Sequence, residues 1–244
     1  MFFKMNLEVR HQMLESLLNL YISKSRDIGS ETKYKNLSEL HKDILLILNQ
    51  SFSYLQISYE LIKQQQLQAS QILLRSSIEY MVYSMYFYEF PDEFKIFLKS
   101  PEKYANSIKN KYKFEEGWIA SLIDKIELDG KKFNIFENKE ERSWRIFLYE
   151  GIAKEASKFV HLDMEYLRTL TFDSKAKGFV FGYKEIDNNI FSNALSRIFE
   201  LTLFEVVILT QLFDQIDVSE FDVKEINNGR VELNRWKAEH KQTI

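Results

Sequence analysis

A chain of 244 residues with 45% hydrophobic side chains is large enough to bury a sizeable core. Its formal charge of -3 leaves no global basic field for nucleic acid. The absence of cysteine excludes disulfides, thiolate metal sites and a cysteine nucleophile, and fits a reducing compartment. Aromatic side chains reach 15%, with 20 Phe and 13 Tyr against only 2 Pro and 7 Gly. Few breakers and many bulky side chains favour long helices around an aromatic-rich core. Met1 to Glu8 meets charge too early for a secretory apolar region. The longest strongly apolar stretch, Leu201 to Phe213, is interrupted by Glu205 and is too short to span a bilayer. A soluble, cytoplasmic, single-domain protein over 1–244 is the expectation.

In chain order, residues 5–25 read as an amphipathic helix with Leu7, Leu14, Leu17, Leu18 and Tyr21 on one side, broken at Gly29 and Ser30. The next helix, 35–65, carries Leu37, His41, Ile44, Leu48, Ser51, Leu55, Ser58 and Ile62 at alternating spacings of four and three, a bundle seam. Its small serines would let a neighbouring helix approach closely. After Gln64-Gln65-Gln66, a helix over 67–89 is apolar on almost every side and ends at Pro91.

From Pro91 to Asn138 the pattern changes to a Lys- and Phe-rich insertion with shorter helices at 102–112 and 115–127, punctuated by Gly117 and Asp129-Gly130. A strong helix resumes over 140–160, bearing Trp144, Phe147, Leu148, Ile152, Ala156 and Phe159 on its apolar side. Gly178 to Tyr183 is an extended strand or a small hairpin. Residues 189–215 form another nearly all-apolar helix, and 218–241 a charged amphipathic one that could dock a partner. The fold expected is all-α: an antiparallel bundle with 67–89 and 189–215 inside, covered by 35–65 and 140–160.

Two constellations stand out. Arg75 and Glu79 sit at i,i+4 spacing inside Ile72 to Tyr83, where charges are costly unless paired. The pair is either structural, fixing how the helix packs, or an anion site in which the planar guanidinium meets a phosphate and Glu79 orients it. If it is buried, Arg75→Met strands a carboxylate and costs about 3–5 kcal/mol. The second constellation is Glu150, Lys154, Ser157 and His161, all within about 60° on a helix. His161, with an unperturbed pKa of about 6.5, either shuttles a proton or caps the helix end.

No histidine pair among His11, His41, His161 and His240 has metal-site spacing, and neither a glycine-rich phosphate loop nor a Gly-x-Ser-x-Gly elbow occurs. No metal and no cofactor is implied. Tyr80, Tyr83, Tyr86, Phe87 and Tyr88 fit either a core or a base-stacking stripe. Lys109, Lys111, Lys113, Lys131 and Lys132 make the insertion locally basic.

Three segments together, Leu73-Leu74-Arg75-Ser76-Ser77-Ile78-Glu79, Ser157-Lys158-Phe159-Val160-His161 and the apolar 189–215 helix, resemble an uncharacterised group of bacterial all-helical proteins. That group is similar in outline to the HEPN superfamily, many of whose members are metal-independent RNases of toxin–antitoxin and phage-defence systems. The resemblance covers about residues 35–215. HEPN RNases carry an arginine one to two turns before a histidine on one helix. Here Lys154 and Ser157 precede His161 instead, and the literal match, Arg235 to His240, lies near the terminus. What the resemblance implies is RNA chemistry with His161 as general acid or base, Arg75 and Lys154 stabilising the phosphorane, and Glu79 and Ser157 orienting them. It also implies pairing of two copies. The rival expectation is a non-catalytic helical interaction or regulatory protein.

Overall fold

The computed structural model describes residues 2–100, 104, 118–130, 152, 153, 156, 172–173, 178–179, 188–213 and 223–232. Among these residues the chain is all-α apart from one minimal ladder, with eight helices packed as a bundle. They are α1 (Phe2–Ile28), α2 (Glu31–Asn36), α3 (Glu39–Lys63), α4 (Leu67–Glu89), α5 (Pro91–Lys99), α6 (Trp118–Asp129), α7 (Asn188–Leu212) and α8 (223–232). Strand β1 (Phe172–Asp173) pairs antiparallel with β2 (Gly178–Phe179), Phe172 opposite Phe179. The extended backbone expected from Gly178 is thus one side of a very short ladder.

The α3–α4 hairpin is the most extensive helix pair. Ser38 opens α3 by accepting a hydrogen bond from the His41 backbone amide at 3.2 Å, an N-cap that satisfies one orphan donor. At the turn, the Gln66 amide donates to Leu61 O at 2.8 Å and the Gln65 amide to Ile62 O at 3.0 Å. Gln65 takes the left-handed conformation at φ 62°. That is a Schellman closure with glutamine in the place glycine favours.

The seam of the hairpin is built from serines. Ser58 Oγ donates to Ser70 O at 2.9 Å, and Ser51 Oγ lies 2.7 Å from Ser77 O; all four residues are buried. Hydroxymethyl side chains let the two backbones approach and also satisfy their own polar atoms against the neighbour's carbonyls. The close approach expected from the sequence is present.

α7 packs against α1, α3 and α4, and α6 and α5 pack on α4. Every residue from Leu201 to Leu209 is buried, so α7 is interior on all sides over that stretch. α4 differs from its expectation: Ile72 and Tyr80 are exposed, leaving it a solvent edge. An apolar sequence on all sides did not demand enclosure, because α3, α7 and α6 together cover only part of its circumference.

Two short helices fall outside the expected pattern. α2 follows Ser30 and buries nothing, and α5 begins at Pro91, which ends one helix and starts the next as its N1 residue. Over its described length, α8 lies on its own bundle: Ile226 is buried, and a Cβ added at Gly229 would meet Leu17 of α1 and Leu203 of α7, both at 3.3 Å. The expected helices at 102–112 and 140–160 lie outside the described residues, apart from buried Tyr104, Ile152, Ala153 and Ala156. No helix among the described residues is long and apolar enough to cross a membrane.

Candidate functional site

Arg75 and Glu79 project from one side of α4 and form the expected ion pair, Arg75 Nη2 to Glu79 Oε1 at 3.0 Å. They are not sealed. Their side chains are 16% and 31% exposed, which places the pair at the rim of the core. Burial raises the Glu79 carboxyl above its usual range, and the Arg75 charge offsets that only in part. Arg75 Nη1 is buried without a hydrogen-bond partner.

One turn earlier stands Gln71, 1% exposed, whose carboxamide N and O both lack partners. Gln71, Arg75, Glu79 and Tyr83 follow at i,i+4 steps along one stripe. Desolvation, and then the charge of Glu79, raises the Tyr83 hydroxyl well above its usual value. Buried polar atoms without partners are rare in folded proteins and call for a cause. The Arg75 Nη1 and the Gln71 carboxamide, four residues apart on this stripe, are shut off from water as well as unpartnered, and they leave two donor nitrogens and one acceptor oxygen unused.

Lys154, Ser157 and His161 lie outside the described residues, as do Glu150, Arg235, His240 and the five insertion lysines. His11 and His41 are described. His11 Nδ1 is 2.8 Å from Tyr59 Oη, and burial lowers its pKa. His41 lies against Ser38 Oγ, with Tyr88 and Phe213 edge-on to its ring. No group of three or more side chains able to hold a metal occurs among the described residues.

The aromatic stripe of α4 divides. Tyr86 and Phe87 are core, in ring contact with Phe90, Phe94 and Phe97. Lys125 of α6 donates to Tyr86 Oη at 3.1 Å and lies over the Phe90 ring at 4.7 Å. Tyr80 stays exposed beside Tyr54.

The residue patterns did not point to the most deeply buried ionisable group among the described residues. Glu205 of α7 is fully buried where α3, α4 and α7 meet. Its Oε1 contacts Ser51 Oγ, and accepts from Ser77 Oγ at 3.2 Å, while Oε2 has no partner. Burial pushes the carboxyl up to about 8, against a smaller lowering by the two hydroxyls; no cation contributes. From α1, Tyr21 completes the surroundings; its hydroxyl, 3.2 Å from Asn49 Oδ1, is raised first by burial and then by Glu205. The signal in the sequence was a lone charge with no partner at helical spacing inside an apolar run.

Comparison with protein-family models, with curated proteins and with solved structures finds no match.

Proposed function

We propose that the chain is a HEPN-like defence- or toxin-type protein that cleaves RNA without a metal ion. The observation that supports this reading best is the unpartnered Nη1 of Arg75. One nitrogen is held by Glu79 at 3.0 Å while Nη1 is buried without a partner, one turn along α4 from the equally unpartnered Gln71 carboxamide. A guanidinium fixed at one end by Glu79 keeps a spare donor for a phosphate oxygen once the rim of the core admits one, and its charge would gain strength as the phosphorane forms.

In this mechanism the 2′-hydroxyl attacks the adjacent phosphorus and the O5′ bond breaks. His161 moves the proton between the two oxygens, Arg75 and Lys154 hold the developing charge, and Glu79 and Ser157 keep these groups oriented. The test is cleavage of RNA with and without EDTA by the wild type, His161→Ala, Arg75→Ala and Arg75→Lys. The expected result is EDTA-resistant cleavage, lost about 100-fold or more in the alanine variants and poorly restored by lysine. Cleavage unchanged in both alanine variants removes the site.

A second reading, a non-catalytic helical interaction or regulatory protein, is favoured by the groove of about 410 Å³ between α1 and α8, lined by Val9, Met13, Glu225 and Val231 among others. A well-folded wild type that binds RNA no better than DNA and cuts neither would leave that reading in place.

A further inference from the structure

Gln71 of α4 is 1% exposed, and neither its carboxamide nitrogen nor its oxygen has a partner. Leu67 and Leu74, about a turn to either side of it on the same face, are buried too, so the amide sits on an aliphatic stretch of the helix. A glutamine so placed gives up its hydrogen bonds to water and regains none, which destabilises the fold. A methionine or leucine would occupy the position without that loss. Stability alone therefore gives no reason for an amide here.

The two unmade bonds describe the ligand that would meet them. One arm donates and the other accepts, side by side in one plane. A phosphate offers only acceptors and leaves the carboxamide oxygen unmet, and a hydroxyl, being a single atom, meets one arm. The edge of a nucleobase sets an acceptor beside a donor in one plane and meets both, which is how carboxamides read bases. Its flat faces also suit aliphatic flanks such as those of Leu67 and Leu74. The spacing agrees. Gln71 precedes Arg75 by four residues, about 6 Å along the helix axis. That is the scale of the step from a phosphate to the base of its own nucleotide.

We propose that Gln71 is a specificity-determining residue, which takes the edge of the nucleobase next to the phosphate held by Arg75. The proposal rests on the reading of Arg75 as a phosphate site. The carboxamide is closed to water in the free protein, so the base enters by displacing the side chains over it. Two hydrogen bonds formed in an apolar surrounding favour that exchange. A nucleotide unable to form them is rejected strongly, because the amide then stays unpaired.

Cleavage of a short RNA tests it, with each nucleotide flanking the cut replaced in turn by an abasic one. For the wild type, loss of the base on one side should slow cleavage at least about 100-fold. Gln71→Met should cut the base-bearing and abasic RNAs at similar rates. Calorimetric binding of adenosine 3′-monophosphate and of ribose 5-phosphate separates this proposal from the nuclease reading. A wild type that cuts no RNA yet binds the nucleotide at least about tenfold tighter than the sugar phosphate, a margin lost in Gln71→Met, keeps base recognition and removes the nuclease. Melting supplies a third readout. Removing an unpaired buried amide should raise the Tm of Gln71→Met by about 2–4 °C. The proposal is overturned by a wild type for which neither cleavage nor binding depends on the base, or by a base dependence that survives in Gln71→Met. A Tm that falls in Gln71→Met and Gln71→Leu alike overturns it too, since the carboxamide would then be bonded within the fold.

Discussion

Glu79 on α4 and Glu205 on α7 are both carboxyls set in apolar helices, yet the fold treats them in opposite ways. Glu79 stands at the rim with a guanidinium 3.0 Å away and nearly a third of its side chain in water. Glu205 is enclosed, meets only serine hydroxyls, and has its pKa pushed up to about 8. An ion pair survives where water helps to solvate it, whereas full enclosure without a cation is met by protonation. The immediate neighbours in sequence are apolar in both cases; what separates the two is Arg75 one turn before Glu79, and how much of each helix's circumference is covered.

The contrast predicts a strong pH dependence from Glu205. An unfolded glutamate releases its proton near its ordinary value of 4.5, while the folded one keeps it up to about 8. Between those values the unfolded chain binds fewer protons, so stability falls as pH rises across the window and levels off above it. The loss is of the order of 4 kcal/mol. Urea melts of the wild type at several pH values from about 5 to 9 should show this slope, and Glu205→Gln should remove most of it and be the more stable protein above pH 8. A wild type whose midpoint does not fall over that range would mean that Glu205 is ionised and solvated in the folded state.

The serines supply a smaller effect that sharpens the assignment. Ser51→Ala takes a hydroxyl from a sealed carboxyl and should cost about 1–2 kcal/mol. Since the hydroxyls lower the Glu205 pKa, its removal should also extend the falling window above pH 8. Ser58→Ala is the control: it is equally buried, and its hydroxyl bonds Ser70 O and Oγ rather than a carboxyl. It should lower stability at every pH alike. Equal pH profiles for the two variants would separate Glu205 from Ser51.

Much of this was legible in the residues. The heptad-like serines of 35–65 announced the close α3–α4 approach, and the 67–89 and 189–215 helices appear with nearly the expected bounds, Leu67–Glu89 and Asn188–Leu212. Periodicity reports which face of a helix is apolar. It does not report how many neighbours arrive, and that is why Ile72 and Tyr80 face solvent on a helix expected to have no solvent face. The same limit hid Glu205. Its serine partners lie on two other helices, far away in sequence, so no local spacing could reveal a polar junction. Of the candidate site, Arg75 with Glu79 was readable because both lie on one helix, while the unpartnered Gln71 became visible only through its burial.

An effect no larger belongs to the pair that stood out most in the sequence, Arg75 with Glu79. With Glu79 sealed, Arg75→Met would strand a carboxylate at about 3–5 kcal/mol. The observed rim position lowers that expectation. A side chain 31% exposed can turn toward water or take up a proton once the guanidinium is gone, so the cost should be about 1–2 kcal/mol. Glu79→Gln should cost less still, because burial already raises the carboxyl's pKa despite Arg75, so the charged form gains little from folding. Both values come from urea melts at pH 7, and Arg75→Met combined with Glu79→Gln gives the coupling. A coupling near zero means that the pair adds little to the fold, and Arg75 is then free to spend its charge on a ligand. One above about 3 kcal/mol would mean that the pair is locked into the core, which would sink the reading of Arg75 as an open anion site.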